Sequence, residues 1–315
     1  MGGTAQGDAV GEIDHRALGR RLSNWGRWGT DDVLGTINLI RPEHRVAAAR
    51  LVSEGATFPL ALPLDAEGPQ IGTGSRQNPI HIMTRTPSAT ELQDRFHWFD
   101  DAVFMYLQAA TQLDGLAHIA IDGLMYGGRS IDEVTREGVG ALGVEAFADR
   151  IAGRGVLLDI ARLRGVDRLE AGSVITAAEL EAAERAQGLR VGEGDILLVR
   201  TGWIRTFTIE RDRDAFHAAE PGLGLDTAAW LHERGVAFLA ADNWGVEVSP
   251  PEIDAEMPLH VVWIRDMGLP LGEMFDLEAL AAHAAASGRW EFHFTCPVLP
   301  FTGGVGAPVQ PVATF

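Results

Sequence analysis

Three short apolar segments, each bounded by glycine or aspartate, constrain the fold of this chain more than any other feature. They run from Gly155 to Ile160, from Asp195 to Thr201 and from Val236 to Ala241. Apolar runs of this length with such boundaries are typical of strands that are buried on both faces. The sequence therefore predicts a sheet whose central strands lie inside the protein.

Helical segments are predicted between and after these strands. Thr176 and Glu179 have the spacing of a capping box, in which two side chains bind opposite free backbone amides at a helix start. Gly188 has the position of a C-terminal cap, so a helix is predicted over Ala177 to Gln187. Two further helices that end before a glycine are predicted over Leu225 to Arg234 and Leu277 to Ser287. Because helices and strands alternate, the sequence predicts an α/β fold, although the pattern does not give the strand order.

Polar side chains are concentrated between Gln108 and His118, where two amides, a carboxylate and an imidazole occur within eleven residues. This segment reads Gln108-Ala-Ala-Thr111-Gln112-Leu-Asp114-Gly-Leu-Ala-His118. A second polar group lies far downstream, at Pro258-Leu259-His260 and Gly272-Glu273. Glutamine and aspartate near a turn are commonly solvated, and a single histidine is commonly structural. Taken alone, the first segment leaves an active-site and a structural interpretation equally open.

The first segment resembles the signature of the cyclase and kynurenine formamidase-like hydrolase family, which runs His-x-Gly-Thr-His-x-Asp-x-Pro/Leu-x-His. Thr111, Asp114 and His118 match this motif. Gln108 and Gln112 stand where the family normally has metal-binding histidines. What the resemblance implies for function therefore depends on this double substitution.

His260 and Glu273 resemble the second half of the family's site, and two matched halves in the right order are less expected by chance than one. Similar blocks extend the resemblance from about Trp25 to the C-terminus, among them Gly155–Ile160, Gly194–Trp203 and Thr302–Pro311. The resemblance implies an N-terminal extension over residues 1–24 and one cyclase-like hydrolase domain over residues 25–315. It also implies a layered, swivelling β/β/α arrangement that assembles as a homo-oligomer, a dimer or a tetramer.

The resemblance further implies a metal-dependent hydrolase that acts on a small molecule. In the family, the aspartate matched by Asp114 binds a divalent ion with the motif histidines and with the pair matched by His260 and Glu273. Such an ion lowers the pKa of bound water to about 7 and polarises the carbonyl under attack. His118 matches the family's general acid and base, a role suited to imidazole. The implied reaction is hydrolysis of a carbon–nitrogen or carbon–oxygen acyl bond in a cyclic amide, lactone or formamide of a flat molecule.

Gln108 and Gln112 change the expected ligand set, because an amide oxygen is a weaker metal ligand than an imidazole nitrogen. The strong ligands that remain are Asp114, His260 and Glu273, supplemented by the two amide oxygens. This oxygen-rich set favours Mn²⁺ or Mg²⁺ over Zn²⁺. We expect one divalent ion per chain, Mn²⁺ or, with lower affinity, Zn²⁺.

Two other functions stay open at this point. If the metal has been lost, Gln108 and Gln112 would hydrogen-bond a substrate carbonyl or carboxylate. His118 and Asp114 would then catalyse proton transfer in an isomerisation, dehydration or ring closure. If the chemistry has been lost as well, the chain would be a non-catalytic small-molecule binder.

Aromatic and basic residues near the motifs are candidate substrate contacts. Trp98 and Tyr106 are expected to stack on a flat substrate, and Arg27 beside Trp28 is expected to bind an anionic group. Packing is at least as good an explanation for these side chains. The tryptophans Trp98, Trp203, Trp230, Trp244, Trp263 and Trp290 are expected mainly to fill the core or an interface, with a pocket as the alternative.

The formal net charge of −18 argues against nucleic acid or an anionic membrane surface as a partner, because both require clustered lysine and arginine. Apolar runs such as Val236 to Ala241 are far shorter than a membrane span. The segment Met1 to Asp8 lacks the basic flank and apolar stretch of a secretory signal. These features predict a cytoplasmic location.

Overall fold

The computed structural model describes residues 14–72, 76–87 and 96–315. The segment Met1 to Asp8, on which the signal-sequence prediction depends, lies outside these residues. The helices of the described residues are α1 (His15–Leu22), α2 (Pro42–Ala49), α3 (Ile160–Leu163), α4 (Ala177–Gln187), α5 (Ile204–Thr208), α6 (Arg213–Ala218), α7 (Thr227–Arg234), α8 (Pro258–His260) and α9 (Glu278–Ser287). Helix α8 continues into a π-helical segment, Val261–Met267. Short 3₁₀ turns cover Gly35–Leu39, Tyr126–Gly128, Ile131–Glu133 and Val144–Phe147.

The strands of the described residues are β1 (Thr57–Pro59), β2 (Ile80–Met83), β3 (Asp101–Phe104), β4 (Gln112–Asp114), β5 (Val134–Thr135), β6 (Gly138–Val139), β7 (Ala152–Asp159), β8 (Val174–Ile175), β9 (Ile196–Arg200), β10 (Gly222–Leu223), β11 (Phe238–Ala241), β12 (Leu271–Glu273), β13 (Glu291–Thr295), β14 (Gly306–Pro308) and β15 (Val312–Thr314). Nine of them form one sheet in the order β1-β15-β13-β7-β9-β11-β12-β4-β14. The central strands β7, β9, β11 and β12 are parallel, and the outer pairings are antiparallel. The candidate site lies at the junction of the two arrangements, where β12 meets β4.

Both faces of the central sheet are buried, which explains why its strands read as continuous apolar runs. A first core surrounds Leu157, Leu198 and Phe238 and is covered by α9. A second core on the other face surrounds Val156, Leu197 and Leu239 and is covered by α1, α4, α7 and the π-helical segment. Neighbouring residues of one strand enter opposite cores because side chains alternate along a strand.

The predicted elements are confirmed with small shifts at their ends. Helix α4 has the predicted bounds, and Thr176 and Glu179 form the capping box. Gly188 caps it in the left-handed conformation, with φ of 70°. The second predicted helix begins at Thr227 instead of Leu225, and the third at Glu278 instead of Leu277. The first predicted strand begins three residues early, at Ala152.

Helix α1 belongs to the proposed N-terminal extension, and it contacts the domain through the buried side chains of Leu18 and Leu22 in the second core. The boundary at residue 25 stays a prediction. No helix in the described ranges is both long and apolar enough to cross a bilayer. The cytoplasmic location also stays a prediction.

Candidate active site

Strand β4 carries the first two polar residues of the site on one face. Side chains alternate along a strand, so Gln112 and Asp114 point the same way while Leu113 enters the first core. Gln112 and Asp114 are almost completely buried. Thr111, just before the strand, donates its hydroxyl to the Met274 carbonyl at 2.6 Å, which fixes β4 against the end of β12.

Glu273 is the cross-strand neighbour of Gln112, because β12 and β4 pair in antiparallel register. The Gln112 Nε2 group donates to Glu273 Oε2 at 2.6 Å and lies 3.3 Å from Asp114 Oδ1. The amide therefore lies between two buried carboxylates. Its own oxygen, Gln112 Oε1, is buried without a hydrogen-bond partner among the described residues.

His260 enters the site from α8 and is oriented by Glu247. The Glu247 carboxylate accepts hydrogen bonds from the backbone amides of Leu259 and His260, each at 3.0 Å, and contacts His260 Nδ1. His260 Nε2 then faces Glu273 Oε1 at 3.3 Å. A carboxylate that is hydrogen-bonded to one imidazole nitrogen fixes the orientation of the ring and leaves the other nitrogen free to bind a metal ion. This arrangement is usual for metal-bound histidine.

His118 lies in the turn that follows β4. Its Nε2 is 3.6 Å from Asp114 Oδ2, and its Nδ1 is buried with no hydrogen-bond partner in the described part of the chain. Burial lowers the pKa of His118 below its ordinary value, although the charge of Asp114 opposes this effect. The lowered pKa favours the neutral ring, which is the form that can accept a proton.

Asp114, His260 and Glu273 form a cluster that fits a cation. Each offers one ligand atom, and these atoms lie within 4.8 Å of one another. The unpartnered Gln112 oxygen is a further oxygen donor beside them. Two carboxylates, one imidazole and an unsatisfied amide oxygen suit a hard or borderline divalent ion. We call Asp114, His260 and Glu273 the triad.

The buried triad and its surroundings carry more negative than positive charge. Burial, together with the charge of Asp114, raises the pKa of Glu273 to about 7. Burial opposes the charge of His260, but hydrogen bonds to Glu247 and Glu273 raise its pKa to about 10. Both shifts show that the buried carboxylates favour an added positive charge.

Left-handed backbone conformations occur next to three residues of the site. Val246, Met257 and Met274 have φ values of 65°, 44° and 56°. Val246 precedes Glu247, Met257 precedes the helix that carries His260, and Met274 follows Glu273. Residues with a Cβ adopt this conformation at a cost, and such strain is concentrated at functional sites.

A cavity of about 130 Å³ adjoins the triad. Phe216, Trp244 and Met257 contribute apolar wall, and the carboxylates of Glu220 and Glu247 contribute polar wall. Gly245 also lines the cavity, and a Cβ at this position would lie 3.7 Å from the His260 ring. For comparison, an engineered apolar cavity of roughly 150 Å³ accepts benzene. The cavity next to the triad therefore has the size and lining for a flat ring.

Gln108 lies beside the triad without a hydrogen bond to it among the described residues. Its Nε2 lies 2.5 Å from the position that a Cβ would take at Gly306. Gly306 is the residue of β14 that pairs with Asp114. Paired residues share a face, so the Gln108 amide is on the side of the sheet that carries the triad. Its role as a ligand stays a prediction.

The predicted substrate contacts are not joined to the triad by any hydrogen bond or ring contact within the described ranges. Trp98 is 50% exposed and lies beneath the Arg85 guanidinium, 3.7 Å from the ring centroid. Tyr106 packs edge-on against Phe104. Arg27 stacks on Trp28 at 4.8 Å and donates to Asn24. Substrate binding by Trp98, Tyr106, Arg27 and Trp28 stays a prediction.

Three residues of the site were not identified from the sequence, namely Glu220, Glu247 and Arg76. Glu220 is buried, accepts from the amides of Trp244 and Gly245, and has a pKa raised well above the ordinary value by burial. Acidic residues within apolar surroundings were the available signal for Glu220 and Glu247, because buried carboxylates require partners. Arg76 had no such signal.

Comparison with known proteins identifies the family to which this chain belongs. The Cyclase family model matches residues 57–248, and the chain belongs to this family. A crystal structure described as a novel cyclase is 37% identical, with a TM-score of 0.86, and the match covers 93% of this chain and 99% of that chain. The predicted α/β fold of the cyclase type, in its single layered domain, is confirmed. No curated protein sequence matched the chain significantly.

More distant structures share the fold. Isatin hydrolase A from Ralstonia solanacearum is 19% identical with a TM-score of 0.62, covering 86% of this chain and 95% of its own. A protein from Bacillus stearothermophilus, described as a predicted metal-dependent hydrolase, is 16% identical with a TM-score of 0.54. The match covers 83% of this chain and 98% of that chain. At this identity the likeness concerns the fold alone.

Proposed function

We propose that this protein is a metal-dependent hydrolase that cleaves a carbon–nitrogen or carbon–oxygen acyl bond in a small flat molecule, such as a cyclic amide, lactone or formamide. The observation that carries the proposal is the triad, in which Glu247 holds His260 so that Nε2 points toward Asp114 and Glu273. The isatin hydrolase and metal-dependent hydrolase that share the fold support the hydrolytic reaction type.

Asp114, His260 and Glu273 would hold one divalent ion, with Gln112 Oε1 as an additional donor. A bound divalent ion activates water and polarises the carbonyl of the substrate. The choice between Mn²⁺ and Zn²⁺ follows from the ligands, because a single imidazole among oxygen donors favours Mn²⁺.

His118 moves the proton in this reaction. Its neutral ring accepts a proton from the attacking water as the oxygen–carbon bond forms. It then returns the proton to the leaving nitrogen or oxygen as the acyl bond breaks, so the histidine is unchanged over a turnover. Nε2 would carry the proton, because it faces Asp114 of the triad at 3.6 Å, whereas Nδ1 is buried without a partner within the described part of the chain.

The test is hydrolysis of a panel containing a cyclic amide, a lactone and an aryl formamide, followed by proton release or product analysis. We expect at least one compound to be hydrolysed, the rate to fall after chelation, and Mn²⁺ or Zn²⁺ to restore it. Hydrolysis that survives complete metal removal would refute metal dependence, and a panel that is never hydrolysed under metal-loaded conditions would refute the proposed reaction class.

A metal-free enzyme is the second candidate, and the position of the Gln112 amide favours it. Gln112 Nε2 already donates to Glu273 and lies 3.3 Å from Asp114, so the amide satisfies carboxylate oxygens that a metal ion would otherwise bind. His118 and Asp114 would then catalyse proton transfer in an isomerisation, dehydration or ring closure. Gln112→His separates the candidates. It should raise zinc affinity in a metal enzyme, because it adds an imidazole ligand, and only reduce activity in a metal-free one.

We also propose that the protein forms a homo-oligomer. The β2–β3 hairpin exposes apolar side chains on both of its faces, and two-stranded hairpins are marginally stable without a partner. The exposed side chains include Ile80, Ile82, Val103 and Phe104. Ile82→Glu with Phe104→Glu should shift the sedimentation coefficient toward the monomer. A native protein that sediments as a monomer would contradict this proposal.

A further inference from the structure

Arg76 lies beside the site and has no anionic partner among the described residues. Its Nη1 atom is buried and forms no hydrogen bond with the described residues, and its guanidinium lies 5.4 Å from the centroid of the Trp244 ring. Trp244 is a wall of the cavity next to the triad. Arg76 therefore brings a positive charge next to a residue that lines this cavity.

The electrostatic influence of Arg76 reaches the site from this position. Burial is the main cause of the lowered pKa of His118 and of His217, and the charge of Arg76 lowers both further. The same charge opposes the rise that burial causes in the pKa of Glu273. Glu273 belongs to the triad, His118 lies beside it and His217 lines the cavity, so the charge of Arg76 acts on both the triad and the cavity.

Four other arginines that stack on aromatic rings in the described residues have a carboxylate partner, whereas Arg27 on Trp28 donates to the Asn24 amide oxygen. Arg168 on Trp203 pairs with Glu210 at 2.8 Å, and Arg234 on Trp230 pairs with Glu184 at 2.8 Å. The same holds for Arg265 with Asp266 and for Arg289 with Glu54. A partly buried guanidinium without a partner is costly, because water no longer solvates it fully. Arg76 is therefore placed to receive an anion that the described residues do not supply.

We propose that Arg76 is a specificity-determining residue that binds a carboxylate on a flat, ring-containing substrate. The ring enters the cavity between Trp244, Phe216 and Met257, and the acyl bond faces the triad. The planar guanidinium binds a carboxylate through two parallel hydrogen bonds, which also orients the ring. This proposal rests on the proposed function for the position of the acyl bond, but the anion preference belongs to Arg76 alone.

Benzoate and benzamide are matched probes, because they share a ring and a shape and differ in charge. Their dissociation constants should be measured by ligand-observed NMR on metal-free protein and again on Mn²⁺-loaded protein. Wild type should bind benzoate roughly ten- to hundredfold more tightly than benzamide, the range of a charge-assisted hydrogen bond. Arg76→Gln should remove this preference while leaving benzamide binding unchanged, and Arg76→Lys should keep part of it.

Arg168→Gln is the control, because it also removes a cation from an indole ring, at a surface ion pair outside the cavity. It should keep the wild-type preference. Failure of metal-dependent hydrolysis would not change the comparison in metal-free protein, so the two proposals fail separately. An Arg76→Gln protein that folds, binds benzamide and still prefers benzoate as wild type does would overturn the role of Arg76, as would equal loss in Arg168→Gln.

Discussion

Two clusters of charged residues, the buried triad cluster and the partly buried cluster around Arg200, differ in charge balance. Arg200 donates to Asp159 at 2.9 Å, to Glu278 at 2.8 Å and to the Asp167 carbonyl at 3.0 Å, while Arg205 donates to Glu278. Among these hydrogen-bonded groups, two cations meet two carboxylates.

The triad cluster has the opposite character. Asp114, Glu247 and Glu273 surround one imidazole, and buried atoms of Gln112 and His118 are unpartnered among the described residues. In a balanced network of buried charges each charge has its partner, so removal of one partner is costly. An unbalanced one is kept for a ligand that brings the missing charge. The comparison therefore supports a structural role for the Arg200 cluster and the proposed functional role of the triad.

The largest effect is expected from His118. His118→Asn should lower turnover roughly 10²- to 10⁴-fold, because it removes the proton-transfer group, while the melting temperature and ligand binding change little. Kinetics and thermal unfolding on one preparation provide the check. Normal turnover with a lowered melting temperature would make His118 a packing residue and weaken the contrast between the clusters.

Arg200→Met tests the other side of the comparison. Removing this guanidinium leaves Asp159 buried without its cation, so the free energy of unfolding should fall by about 3–5 kcal/mol. Turnover per folded molecule should stay as in wild type. Urea unfolding monitored with activity gives both quantities. Unchanged stability together with lost activity would move the Arg200 cluster into the functional class.

Glu247→Gln should have a smaller effect, on the affinity for metal. Glu247 orients His260 without belonging to the triad, and loss of such an outer partner typically costs about 10- to 100-fold. Calorimetric titration with Mn²⁺ measures this change, and Glu184→Gln, which alters a buried carboxylate paired with Arg234, is the control. If both variants bind Mn²⁺ equally well, Glu247 has no orienting role.

The elements that the sequence predicts best have local causes. Helix α4 is set by Thr176, Glu179 and Gly188, all within or next to its own ends. The central strands are recognisable because both faces are buried. Strands β4 and β14 are three residues long, which is too short to show the alternation of apolar and polar residues that marks a strand. Their pairing also joins residues that are nearly two hundred positions apart in the sequence.

The candidate site likewise contains residues that the sequence identifies and residues that it does not. Asp114, His260 and Glu273 were identified through two segments that resemble family motifs, and the structure brings them together. Glu247 could not be identified, because its role depends on a loop, with Val246 in a left-handed conformation, that returns it to His260. Arg76 was missed because an unpaired guanidinium is recognised only when its surroundings are known.

Metal content and metal-linked stability of wild type and Asp114→Asn test the central claim most directly. Wild type should contain about one divalent ion per chain by elemental analysis, and chelation should lower its melting temperature, because a ligand that binds only the folded state stabilises it. Metal-free Asp114→Asn should be at least as stable as metal-free wild type, because it removes a repelling charge, and added Mn²⁺ or Zn²⁺ should not stabilise it. Wild type without an ion, together with an Asp114→Asn variant destabilised as strongly as Arg200→Met, would show that the triad is a structural cluster and contradict the account.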